Sequence, residues 1–146
     1  MTKLRFDHTS IVVSDMQATI EFFTALGMEL MGEATIEDES AARVSNLENL
    51  RCTIAMMKTP DGSGQLEFCR YHSPIAISPE PKNAPANTLG YRSIMFEVDD
   101  IDGMVARLAP LGGGLGGEIV QYENSYKLAY LRGPEDVIIA LAQSTS

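Results

Sequence analysis

Apolar positions along the chain switch between a period of two and a period near 3.6, and the same switch occurs twice. Residues 5 to 13 carry Thr, Ile and Val in a short run and predict a strand. Met16, Ile20, Phe23 and Leu26 then recur at helical spacing. Ser14 or Asp15 supplies an N-cap and Gly27 a left-handed stop, so a helix is predicted over about 15 to 26. Residues 28–36, 42–47, 52–57 and 65–72 read as strands. An acidic turn, Glu37-Asp38-Glu39, separates the first two, and Asp61-Gly62-Ser63-Gly64 makes a hairpin signal between the last two. Pro74, Pro79, Pro81 and Pro85 exclude regular structure from residues 73–89. Beyond them a strand is predicted over 91–98, a helix over 100–111, a glycine-rich turn over 112–117, and strands over 117–122, 126–132 and 137–142.

A slide of 85 residues superimposes the two halves of this pattern. Val13 meets Val98, Asp15 meets Asp100, Leu26 meets Leu111 and Gly27 meets Gly112. Met16, Ile20 and Phe23 meet Ile101, Val105 and Leu108. Each copy reads strand, Asp cap, amphipathic helix, Leu-Gly stop, then further strands. The expected architecture is α+β: two βαβββ modules with curved mixed sheets around a cup-shaped cavity, helices on one sheet face. Module one spans 4–72, a proline-rich linker 73–89 and module two 90–143, within one domain of 1–146.

Composition narrows the function classes. The chain has 146 residues, 45% hydrophobic, and a formal net charge of −9. That charge, with no basic run, argues against a nucleic-acid or anionic-membrane surface. The first residues form no apolar signal region, and no stretch has the length of a membrane span, so the cytoplasm is the expected compartment. Two cysteines, Cys52 and Cys69, are too few for a disulfide framework and read as reduced packing residues.

Alternation puts His8 on the strand face shared with Phe6, Ser10 and Val12, opposite Thr9, Ile11 and Val13. Glu67 is a carboxylate within the apolar strand Leu66-Glu67-Phe68. Taken singly, each has an ordinary structural reading. Together, a neutral imidazole and a carboxylate suit a divalent metal, although a catalytic site normally has three protein ligands or more. Cys69 shares the face of Glu67, as a packed thiol or a soft-metal ligand. His72, five positions past Glu67, falls on the opposite face. In the slide, His8 meets Ser93.

The phrases Phe6-Asp7-His8-Thr9-Ser10-Ile11-Val12-Val13-Ser14-Asp15 and Phe22-Phe23-x-x-Leu26-Gly27-Met28-Glu29-Leu30 resemble the opening of the vicinal-oxygen-chelate superfamily. That superfamily includes glyoxalase I, methylmalonyl-CoA epimerase, fosfomycin- and bleomycin-resistance proteins and extradiol dioxygenases. Phe96-Glu97-Val98-Asp99-Asp100-Ile101-Asp102 resembles its second-module phrase. Tyr130-Leu131-Arg132-Gly133-Pro134-Glu135-Asp136-Val137-Ile138-Ile139 resembles its closing phrase, usually aromatic-x-x-Asp-Pro-Asp-Gly-Asn. The resemblance covers nearly the whole chain. It implies metal ligands at His8 and Glu67, with Ser93 where a histidine is expected and Ala140 where a glutamate is expected. The metal, if bound, would be nickel, zinc, manganese or iron.

Three functions follow. The incomplete ligand set puts first a cup that binds a small organic molecule, with His8 and Glu67 as polar anchors and Ser10, Cys69, Ser93, Met95, Tyr130 and Ala140 as ligand-binding positions. The second is a lyase or isomerase of glyoxalase or epimerase type, with Glu67 and His8 as catalytic residues and Glu67 as the base. The third is a structural or regulatory module that retains His8 and Glu67 as relics. The resemblance also implies a homodimer.

Overall fold

The computed structural model describes residues 3–145. The chain divides into two compact units, Met1–Ile77 and Ser78–Ser146. The first contains β1 (Thr9–Val12), α1 (Met16–Leu26), β2 (Glu29–Ile36), α2 (Glu39–Ser45), β3 (Arg51–Lys58) and β4 (Gln65–Ser73). Its four strands form one sheet in the order β1-β4-β3-β2. β1 runs parallel to β4, and the other pairs are antiparallel.

The second unit contains β5 (Ser93–Glu97), α3 (Ile101–Leu108), β6 (Gly114–Leu115), β7 (Val120–Tyr122), β8 (Tyr126–Arg132) and β9 (Ile138–Ser144). Its sheet order is β5-β9-β8-β6, with β7 also pairing β8. Again the first strand runs parallel to the last.

The duplication holds at the level of single hydrogen bonds. Asp15 caps α1 by accepting from the Ala18 amide at 3.0 Å, and Asp100 caps α3 by accepting from the Gly103 amide at 3.1 Å. Gly27 and Gly112 end the two helical segments at positive φ, 125° and 94°. The Val13 amide donates to the Cys69 carbonyl and the Val98 amide to the Ala142 carbonyl, both at 2.8 Å. The parallel registers match as well. Ser10 pairs with Glu67 in the first unit, and Met95 with Ala140 in the second.

Each sheet has one face packed beneath its helix. In the first unit Phe68 is fully buried, with its ring centroid 4.8 Å from that of Phe23 on α1. Phe22 meets Phe23 edge to face. Ile11, Val13, Ala55, Met57 and Leu66 complete this buried side. In the second unit Ile101 and Leu108 of α3 are fully buried, as are Leu131, Ile139 and Leu141 on the strands.

Several elements differ from the sequence expectation. Residues 42–47 are not a strand: Asp38 accepts from the Ala41 amide and starts α2, and Asn46, at φ 56°, ends it. Ala41 and Ala42 favour helix, and the acidic turn became its cap and first turn. β1 starts at Thr9 rather than residue 5. The second helix stops at Leu108 and passes into a 3-10 turn over Ala109–Leu111, because Pro110 brings no N–H to an α-helical ladder. β6 lies inside the predicted glycine-rich turn, and residues 117–119 stay outside any strand. Residues 74–92 carry no helix or strand.

Candidate functional site

In the first unit the face away from α1 gathers the chemistry. Period-two alternation and register place Ser10 and Val12 of β1, Glu67, Cys69 and Tyr71 of β4, and Cys52, Ile54 and Met56 of β3 on it together. It is an apolar surface with one polar cluster.

Glu67 is the centre of that cluster. Its Oε1 accepts the Ser10 hydroxyl at 3.0 Å and the Cys69 thiol at 3.1 Å. Ser10 Oγ and Cys69 Sγ are themselves 3.4 Å apart. The other carboxylate oxygen, Oε2, faces His8 Nε2 at 3.9 Å, with 32% of the His8 side chain and 23% of the Glu67 side chain exposed. One oxygen is thus fixed by two donors, and the other is turned toward the imidazole.

The His8 ring is fixed from its far side. Nδ1 lies 2.7 Å from Asp7 Oδ2. An ionised carboxylate only accepts, so the proton between them is assigned to Nδ1, and in the neutral ring Nε2 carries the lone pair. Asp7 also pairs with Arg5. Its carboxyl is held below the usual range, first by the bond to His8 and then by Arg5.

The Cys69 thiol is pushed up to about 12, chiefly by burial; the Ser10 hydroxyl opposes this and Glu67 adds to it. Burial, then Glu67, also raises Cys52. Both are free thiols. Below about pH 10 Cys69 therefore stays protonated and donates to Glu67. Iodoacetamide should modify Cys69 far more slowly than an unstructured thiol, with no inflection between pH 7 and 9. An inflection near pH 8.5, tracked by mass spectrometry of the Cys69 peptide, would contradict this.

His72 lies elsewhere, with Nε2 2.8 Å from the Thr53 hydroxyl oxygen. Thr53 shares the sheet face of Ala55 and Met57, so His72 is on the side opposite Glu67.

In the second unit, Ser93 opens β5 and pairs with Ile138. Met95 pairs with Ala140, which on its other side pairs with Tyr130. These three share a face, with Met95 56% exposed, Tyr130 43% and Ala140 1%. Ala140 thus stands in the second sheet where Glu67 stands in the first, and its methyl offers no electron pair. The fit to a divalent ion can be judged from these donors. A zinc-like ion about 2.1 Å from each of two ligands spans separations near the 3.9 Å between His8 Nε2 and Glu67 Oε2. Asp7 on the far ring nitrogen is the usual partner of a metal-bound histidine. These atoms fill only two positions, however, and no group of three or more His, Cys, Asp or Glu arranged to hold a metal occurs among the described residues. The donor set does not fit a resident catalytic metal.

The Glyoxalase/Bleomycin resistance protein/Dioxygenase superfamily model matches residues 5–141. The chain belongs to that superfamily. A glyoxalase family protein from Bacillus cereus is 46% identical and superposes with a TM-score of 0.94, over 100% of this chain and 97% of that one. A glyoxalase family protein from Enterococcus faecalis, 22% identical, superposes at 0.62 over 94% of this chain and 96% of that one. A glyoxalase I variant from Zea mays, 18% identical, superposes at 0.68 over 95% of this chain and 44% of that one. A comparison with functionally curated proteins found no match. These superfamily relatives share the α+β fold with its two curved sheets. Among the described residues, no helix is long and apolar enough to cross a membrane.

Sequence reasoning paired His8 with Glu67 and put Ser10 and Cys69 beside them. It missed Asp7 as the partner of His8, and Ile54 and Met56 as the apolar floor. The alternation of β3 carried a signal for the floor. Nothing in the sequence pointed to Asp7, because neighbours on a strand face opposite ways.

Proposed function

We propose that the chain binds a small organic molecule at the His8–Ser10–Glu67–Cys69 cluster, through hydroxyl groups on the ligand and without a resident metal. The observation that carries this reading is the division of labour on Glu67. Ser10 and Cys69 occupy Oε1, while Oε2 and His8 Nε2 stand 3.9 Å apart as two acceptors without a proton donor between them in the neutral ring. Neighbouring hydroxyls, as in a 1,2-diol or a catechol, supply two donors at a matching spacing. Val12, Ile54 and Met56 offer apolar contact for the body of such a molecule. The sequence and the superfamily resemblance further suggest a cytoplasmic homodimer.

The test is a titration of chelator-treated, isotope-labelled protein with catechol, followed by amide resonances. Saturable shifts centred on Ser10, Met56, Glu67 and Cys69 are expected. Shifts confined to other strands would remove the cluster from the reading.

The same geometry favours a second reading, a lyase or isomerase in which Glu67 moves a proton. A carboxylate with one oxygen fixed and the other open is oriented as a general base requires. Solvent deuterium entering a bound hydroxyketone beside its carbonyl, and failing to enter with Glu67→Gln, would raise this reading above simple binding.

A further inference from the structure

The second unit has a cleft of about 300 Å³ that the Glu67 cluster does not use. The turn over 134–136 and the proline-rich segment before β5 form its walls, with Pro79, Tyr91 and Ile138 giving it apolar surface. Lys82, Arg92 and Arg132 bring three cations to it, in a chain whose net charge is −9.

Their partners differ. Lys82 Nζ pairs with Glu135 Oε1 at 3.3 Å. The Arg132 guanidinium donates to the Asp136 carbonyl at 3.0 Å and to the Ala84 carbonyl at 2.8 Å. These bonds tie the two walls together through the guanidinium. Arg92 Nε is buried and has no hydrogen-bond partner among the described residues. Protein atoms close off Nε, so a molecule in the cleft meets the rest of the Arg92 guanidinium, whose N–H edge is shaped for a carboxylate. Glu135 and Asp136, both with φ near +60° (57° and 59°), form the turn at the cleft. Such conformations persist in non-glycine residues where the surroundings impose them.

We propose that this cleft binds a small organic acid, with its carboxylate on Arg92 and Arg132 and its apolar body against Pro79, Tyr91 and Ile138. Glu80, Glu135 and Asp136 also line the cleft and set a limit on the charge it accepts. A single negative charge is favoured over a multiply charged phosphate, since like charges nearby oppose the second charge.

The 146-residue chain should be titrated with benzoate and, separately, with inorganic phosphate. Saturable benzoate binding is expected, tighter than that of phosphate. Arg92→Gln should weaken benzoate at least about tenfold, the scale of losing a charged hydrogen bond. Arg92→Lys keeps the charge, loses the planar guanidinium fork and should fall between; it also serves if the glutamine variant melts early. His8→Ala should leave benzoate affinity unchanged, which separates this cleft from the cluster in the first unit. Equal benzoate affinity in wild type and both Arg92 variants would overturn the proposal. So would an absence of saturable benzoate binding, phosphate binding as tightly as benzoate, or loss of benzoate binding in His8→Ala.

Discussion

Phe68→Ala should lower the unfolding free energy by about 3–5 kcal/mol, the usual cost of emptying a buried phenylalanine site. Phe68 is fully buried, and its ring packs at 4.8 Å on Phe23. It is also the β4 residue paired with Ile11 on one side and Ala55 on the other. The deletion therefore empties the place where α1 meets the middle of the first sheet. Neighbouring Ala55 is too small to refill it, so little relaxation is expected. Urea unfolding reads the loss directly, and a change below about 1 kcal/mol would mean that this core carries little of the stability. Glu67 faces the other side of the same strand, so the folded variant should keep its ligand contacts.

Glu67→Gln should weaken the catechol complex by about 10–100-fold, the range expected when a hydrogen bond to a charged group is lost. The amide is nearly isosteric and can still accept from Ser10 and the Cys69 thiol through its oxygen. The group turned toward His8 becomes an NH₂, a donor where the carboxylate presents an acceptor. Stability should change little while affinity falls. His8→Ala should give a comparable loss, because it removes the second acceptor. Equal affinity in wild type and both variants would take the ligand away from this cluster.

Much of this molecule is legible in its sequence because the repeat is carried by residues whose roles are local. Asp15 and Asp100 cap helices, and Gly27 and Gly112 end helical segments at positive φ, whatever the rest of the fold does. The 85-residue slide therefore finds equivalent positions before any strand pairing is known. The pairing of Ser10 with Glu67, and of Met95 with Ala140, is a different kind of fact. Parallel register is set by long-range contacts, so no local signal places the Ser10 hydroxyl on Oε1. α2 was hidden because Ala42 and Val44 alternate with Arg43 and Ser45, a stretch too short to separate a period of two from a helical one. Asp7 was hidden because alternation assumed a strand from residue 5. β1 begins at Thr9, and the preceding segment is free to bring Asp7 and His8 side by side. The cleft in the second unit joins Arg92, just before β5, and Arg132, at the end of β8, which lie far apart in sequence on strands separated by β9.

The central claim is that His8 and Glu67 anchor an organic ligand without a resident metal. Calorimetric titration of the chelator-treated protein with catechol tests it most directly, repeated after addition of nickel, zinc, manganese or iron. The account predicts saturable binding in the metal-free protein, and no stoichiometric metal uptake tighter than about millimolar. Catechol binding that appears only after tight, stoichiometric metal uptake, with that uptake abolished in His8→Ala, would contradict it.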